Sequence, residues 1–254
     1  MSKLHLIGAL SAVILLFISL SSHAIPVTGQ GTWESTLQGR DLDGNAATFE
    51  AYYDTTLNIT WLADANAAGT SMIWADANAW AAALDVNGVT GWRLPTNTPL
   101  NGSSYNMTLS TNGTTDWATA TTTTDGSDGG WRNGSGNPVS EMGHMFYVTL
   151  GNLGLCEPTL AWCTLQSGYG LSNTADFLNV QSDGYWSGSE LDSSSAWNFR
   201  FANGFQFNPP KSTNLFAWAV RSGDVSAVPV PAAIWFFGSG LLGLVGIARR
   251  KKAG

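Results

Sequence analysis

The stretch AWNFRFANGFQF, residues 196–207, carries the reading that decides the fold class of this chain. Trp197, Phe199 and Phe201 alternate with Asn198 and Arg200, the period-two pattern of a strand with one buried and one wet face. Asn203-Gly204 then separates this run from Phe205-Gln206-Phe207. An Asn-Gly pair between two such runs predicts a type I′ hairpin turn. Working outward, Tyr185 to Gly188 and Phe216 to Arg221 are further strand candidates. Phe49 to Tyr53 and Asn58 to Leu62, parted by Asp54-Thr55-Thr56, add a pair on the N-terminal side.

Two segments carry helical spacing instead. Trp74, Ala77, Ala81 and Leu84 recur at intervals of three and four, which predicts an amphipathic helix with Trp80 at the edge of its stripe and Asn87-Gly88 at its end. A second helix is expected from Pro138 to Leu150, with Asn137 as cap and Met142, Met145, Phe146 and Leu150 on its apolar face. Between the two, Asn101 to Asn137 is dense in Thr, Ser, Gly and Asn and reads as an irregular insertion within one domain. The expected class is α+β: two helices and a hairpin-rich antiparallel sheet.

Composition agrees with a loop-rich exported domain. Only 11% of residues are charged, while Trp alone numbers 12, too aromatic for a disordered chain. All 18 acidic residues lie between Glu34 and Asp224, against the cations Arg40, Arg93, Arg132, Arg200, Lys211 and Arg221, a balance of −12. Such a surface repels phosphate backbones and excludes nucleic acid as a partner. The acidic excess serves solubility or the holding of Ca²⁺.

The ends read as addresses. Residues 1–24 have the parts of a secretory signal: Lys3, an apolar run from Leu6 to Leu20, and Ser22-His23-Ala24 as a cleavage site. Residues 25–226 form the exported domain and 227–254 the tail. In the tail Val228-Pro229-Val230-Pro231-Ala232 interrupts the chain, residues 232–248 carry no charge, and Arg249-Arg250-Lys251-Lys252 follows. Seventeen residues span about 25 Å as a helix, so a transmembrane helix is expected, with the basic cluster as a stop-transfer signal.

This tail resembles the PEP-CTERM sorting tails of Gram-negative bacteria, in the variant with a Val-Pro-x-Pro-Ala start. The resemblance implies an exosortase as partner, with Pro-Val-Pro here in place of Pro-Glu-Pro. It further implies attachment to the membrane through the tail helix, the C-terminus cytoplasmic before processing, and then display at the cell surface or secretion. The blocks YYDTTLNITWLADAN, WADANAWAAAL, GWRLPT, YWSGS, AWNFRFANGFQ and AWAVRSGD, within 48–224, are similar to the Lcl C-terminal domain family of bacterial secreted proteins. That resemblance implies a C-type-lectin-like fold related to the formylglycine-generating-enzyme branch.

Chemistry-bearing residues are few. Outside the signal, His144 is the sole histidine, three residues after Glu141 and so on the same helical face, where a local hydrogen bond is expected. One imidazole with one carboxylate makes neither a zinc site nor a triad, and no GxSxG, HExxH or Walker A pattern is present. Cys156 and Cys163 are the only cysteines, expected to form a disulfide in an oxidising envelope; the rival is a copper or redox pair of the formylglycine-generating type. No cofactor pattern is found, apart from Asp41, Asp43 and Asn45 as Ca²⁺ ligands, residues that an Asp-Gly hairpin turn explains more simply. Arg93 and Arg221 lie inside aromatic blocks and are expected against carboxylates, with Asp54 or Asp76 as partners, or stacked on Trp, the alternative being a grip on an anionic ligand. Tyr185 and Trp186 are the candidates for stacking on sugar rings. Three functions follow in order: an exosortase-sorted, non-enzymatic surface or matrix protein; a carbohydrate-binding module for exopolysaccharide; and a formylglycine-generating-type enzyme.

Overall fold

The computed structural model describes residues 31–45, 47–119, 132–157 and 163–225. Two four-stranded antiparallel sheets organise them. The first runs in the order β1-β2-β3-β8, from Leu37–Arg40, Ala51–Asp54, Ile59–Leu62 and Val220–Ser222. The second runs β4-β7-β6-β5, from Ala118–Thr119, Phe205–Phe207, Ala196–Arg200 and Gly184–Glu190. The helices are α1 (Trp33–Thr36), α2 (Trp74–Ala83) and α3 (Glu141–His144), which passes directly into a π-helical turn over Met145–Thr149.

The expected α+β class, with its C-type-lectin-like layout, is therefore corrected. Antiparallel sheet dominates, and α2 alone exceeds a single turn of α-helix among the described residues. No helix among the described residues is long and apolar enough to cross a membrane. The transmembrane helix expected over 232–248 is set aside with that finding; those residues lie outside the described set, as do the signal at 1–24, the sorting motif Val228 to Ala232 and the basic cluster Arg249 to Lys252.

The second helix differs for a local reason. Asn97 forms a β-bridge with Ser140, and Thr98 N–H donates to the Val139 carbonyl, so pairing with a distant segment holds 138–140 extended. Ser140, not Asn137, is the cap, its Oγ accepting from Gly143 N–H at 3.1 Å. The expected apolar face survives, since Met142, Met145, Phe146 and Leu150 are all buried.

Residues 196–207 form the expected hairpin with two corrections. Arg200 pairs with Phe205, so four residues, not two, make the turn, and of Asn203 and Gly204 only Gly204 has positive φ. A type I′ turn needs both. Nor is one face wet: Ala196 and Asn198 are as buried as Trp197, Phe199 and Phe201, and Arg200 alone is exposed. The second face is covered by α2 through Ala77 and Ala81, with Leu94, Trp186, Leu215 and Ala217. The larger core lies on the other face, where Phe146 of the π-helical turn packs on Phe199 and Phe201.

Gly204 is where turn and core meet. Its φ is +70°, its carbonyl accepts from Tyr147 Oη at 2.7 Å, and a Cβ there would run into the Tyr147 hydroxyl. Gly204→Ala is expected to destabilise the fold by about 2 kcal/mol or more, read as a shift of the urea midpoint at unchanged slope. An unshifted midpoint would show that the turn relaxes freely.

Candidate functional site

The sequence-derived candidates separate into structural and surface groups. Tyr185 and Trp186 are fully buried, each at 0% exposure, and so cannot stack on a sugar. Tyr185 touches Phe201 and Trp218, and Trp186 Nε1 donates to the Met72 carbonyl. The period-two pattern could not reveal this, because both faces of β5 are covered.

Arg93 is held by Glu141 in a bidentate pair, both contacts 2.7 Å, and Glu141 also accepts from Thr96 N–H. Arg221 donates to the Thr90 carbonyl and rests beside the carbonyls of Ser222 and Asp224. Neither Asp54 nor Asp76 is a partner of these arginines. Asp54 is wholly buried and takes its hydrogen bonds from Thr56, Leu57 and Thr149 instead. Both arginines thus serve the fold, with Arg93 engaged on a carboxylate from elsewhere in the chain.

With Glu141 committed to Arg93, the expected Glu141–His144 hydrogen bond does not form. His144 is 1% exposed and neither ring nitrogen has a partner among the described residues. Burial, reinforced by the Arg132 charge, lowers its pKa to about 4. Cys156 and Cys163 form the expected disulfide, flanked by the Cys156–Leu165 bridge. Their thiols are joined to each other, which suits a covalent staple.

The acidic loop between β1 and β2 gathers Asp41, Asp43 and Glu50, whose carboxylate oxygens lie within 4.8 Å of one another and could hold a cation. Asn45 lies between them in the same loop: its N–H donates to Asp43 Oδ1 and its own Oδ1 accepts from Ala47 N–H. Glu50, the residue before β2, joins the two aspartates. Each carboxylate already receives a backbone N–H at 2.7 Å, Asp41 from Gly44, Asp43 from Asn45 and Glu50 from Leu42. The turn itself therefore accounts for their position.

The same loop borders a feature that the sequence did not announce. A groove of about 230 Å³ is lined by Trp33, Glu34, Leu37, Gly39, Phe49, Tyr52 and Asp176. Its floor is the edge strand β1, where Gly39 lies opposite Tyr52. A Cβ at Gly39 would enter the Phe49 ring lying over it, so any side chain there would displace that ring. Phe49 is 45% exposed and meets Tyr52 edge-to-face at 6.0 Å. Tyr52 in turn packs on Phe177 at 5.1 Å, and its Oη reaches the Asp176 carbonyl. Burial and the Asp176 charge raise the Tyr52 pKa, so its hydroxyl stays protonated and able to donate.

Each wall is placed by a separate part of the chain. Thr32 N–H donates to the carbonyls of Val148 and Thr149, docking α1 on the π-helical turn and fixing Trp33 and Glu34. Asp176 sits in a loop tied to the end of β3 by the paired bonds Ala65 N–H to Leu178 and Leu178 N–H to Ala63. The aromatic residue Phe49 after a polar turn is the one legible signal; Trp33 belongs to no periodic run, and Asp176 arrives from 124 positions beyond Tyr52. Comparison with protein-family models, curated proteins and solved structures gives no match for this chain.

His144 supplies a pH test of the core. Its folded-state pKa lies below the unfolded value of 6.5, so the neutral form is what the fold stabilises. That stability is complete above pH 6.5 and is lost as pH falls towards about 4, on the order of 3 kcal/mol across the window. Asp54, whose carboxyl is raised by burial, acts oppositely, favouring the fold at low pH and losing that contribution as pH rises through its folded value. The expected outcome is that wild type minus His144→Gln isolates a decline between pH 6.5 and 4; parallel curves would show that His144 does not titrate with unfolding.

Proposed function

We propose that this chain is an exported, non-enzymatic protein of the cell surface or extracellular matrix whose domain binds carbohydrate. The observation that carries the binding reading is the groove on β1, where Trp33, Phe49 and Tyr52 stand beside Glu34 and Asp176. Aromatic faces suit the C–H side of a pyranose ring, while carboxylates and a tyrosine hydroxyl accept and donate to ring hydroxyls. The size is that of a monosaccharide unit rather than of a larger enclosed ligand. Opening along an edge strand leaves room for a polymer to continue beyond the ring that is held.

The non-enzymatic half is supported by the state of the reactive groups. Among the described residues the histidine is buried without a partner, the cysteines are linked, and Glu141 is neutralised by Arg93. Export is supported by the signal-like residues 1–24 and by the disulfide, which an oxidising compartment maintains. Sorting by an exosortase rests on the motif Val228 to Ala232 and its resemblance to PEP-CTERM tails.

A glycan array probed with the full chain tests the binding reading. Binding is expected to neutral or amino-bearing polysaccharide, reduced about 10-fold or more by Trp33→Ala or Phe49→Ala at unchanged melting temperature. Silence across neutral, amino and acidic glycans would refute it. For the address, mass spectrometry of cell-surface fractions is expected to find an N-terminus at Ile25 and loss of the residues beyond the sorting motif. An intact tail in those fractions would rule out sorting.

A further inference from the structure

We propose that the β1 groove selects a protonated amino sugar, the repeating unit of a de-N-acetylated glucosamine-type polymer, over neutral and acidic sugars. This deepens the carbohydrate reading above and rests on it. Two carboxylate-bearing residues, Glu34 and Asp176, line the groove, and among the described residues no cation does. Neither carboxylate belongs to an ion pair: the described acidic residues that do are Asp224, Glu141 and Glu190, with Arg40, Arg93 and Lys211. Among the described residues, Glu34 and Asp176 also accept no side-chain or backbone hydrogen bond through their carboxylates, whereas Asp41, Asp43, Asp54, Asp116 and Asp192 are all occupied in that way.

The nearest cation in sequence is turned away by strand geometry. Arg40 follows Gly39 in β1 and so points to the opposite face. There its guanidinium meets Asp224 at 2.7 Å and lies 5.2 Å from the Tyr53 ring. Tyr53 likewise faces away from Tyr52, its neighbour in the groove. The alternation of β1 and β2 thus puts Arg40, with its Asp224 partner, on one face and Gly39 and Tyr52 on the other, where Glu34 from α1 and Asp176 from its loop join them.

Such a surface attracts a ligand that is both ring-shaped and cationic. An ammonium substituent gains from the two carboxylates and from the negative faces of Trp33, Phe49 and Tyr52. An N-acetylated ring keeps the stacking and loses the charge term. A uronic acid is repelled, both by the groove and by the acidic balance of the domain around it. The site is open to solvent, so the preference is moderate and salt-dependent.

Titration of the full chain, followed by NMR or calorimetry, compares three β-linked oligomers of equal length: glucosamine at a pH where the amine is charged, N-acetylglucosamine, and a uronic acid. Glucosamine is expected to bind about 5- to 10-fold tighter than the acetylated oligomer at low salt, with the gap closing as salt rises. The uronic acid is expected not to bind. The double variant Glu34→Gln with Asp176→Asn is expected to retain the weaker acetylated binding and lose the preference, and neither change removes a fold contact. Equal affinity for the charged and acetylated oligomers would overturn the selection while leaving carbohydrate binding standing. A preference that survives in the double variant would also overturn it, by placing the cationic subsite elsewhere. No binding of any oligomer would refute the carbohydrate reading itself.

Discussion

Trp218 is the point through which the two sheets are joined, and the remaining architecture is arranged around it. Its ring lies 4.9 Å from Trp61 of β3 in the first sheet and 5.9 Å from Tyr185 of β5 in the second. Phe177 and Phe201 close on it from two further sides, and its indole N–H donates to the Leu62 carbonyl at 2.8 Å. A buried indole is stabilised when its polar edge finds an acceptor. Here that acceptor is the end of β3, so satisfying the indole also fixes where the first sheet sits.

From that junction an aromatic path leads outward to the proposed site. Trp218 touches Phe177, Phe177 touches Tyr52, and Tyr52 touches Phe49 at the groove. The rigid core thereby sets the orientation of rings that a ligand would meet, which reduces the ordering cost of binding. Arg93 plays the complementary polar part. Its backbone pairs with Val220 beside the first sheet while its guanidinium grips Glu141 at the head of α3, the helix that leads into the turn packed on the second sheet. One residue thus ties the two halves together with a charge-assisted pair where Trp218 does so with apolar contact.

What could be read along the chain was local. The strand pair at 51–62, the helix beginning at Trp74, the apolar face of Met142, Met145, Phe146 and Leu150, and the Cys156–Cys163 bond all depend on neighbours a few residues apart. The misreadings share one cause. Trp186 looks like an exposed recognition residue until α2 and the loop before β8 cover its face of the sheet, and Tyr185 does so until Phe201 and Trp218 close on the other. Asn137-Pro138 looks like a helix start until pairing with 97–98 holds the backbone extended. Covering layers and long-range pairing leave no trace in periodicity.

The sequence by itself determined that the domain is aromatic and acidic and where several of its strands run, because composition and short-range alternation carry those properties directly. It also determined the hairpin of residues 196–207, although not the length of its turn. Only the tertiary structure decided which aromatics are core and which are surface, and that Arg93 belongs to Glu141 rather than to Asp54 or Asp76. It alone assembled the groove, since Trp33, Gly39, Phe49, Tyr52 and Asp176 come from separate parts of the chain. The reason is physical: alternation assigns a side chain to a face of a sheet, but packing of distant segments determines whether that face is buried, open or shared with a ligand.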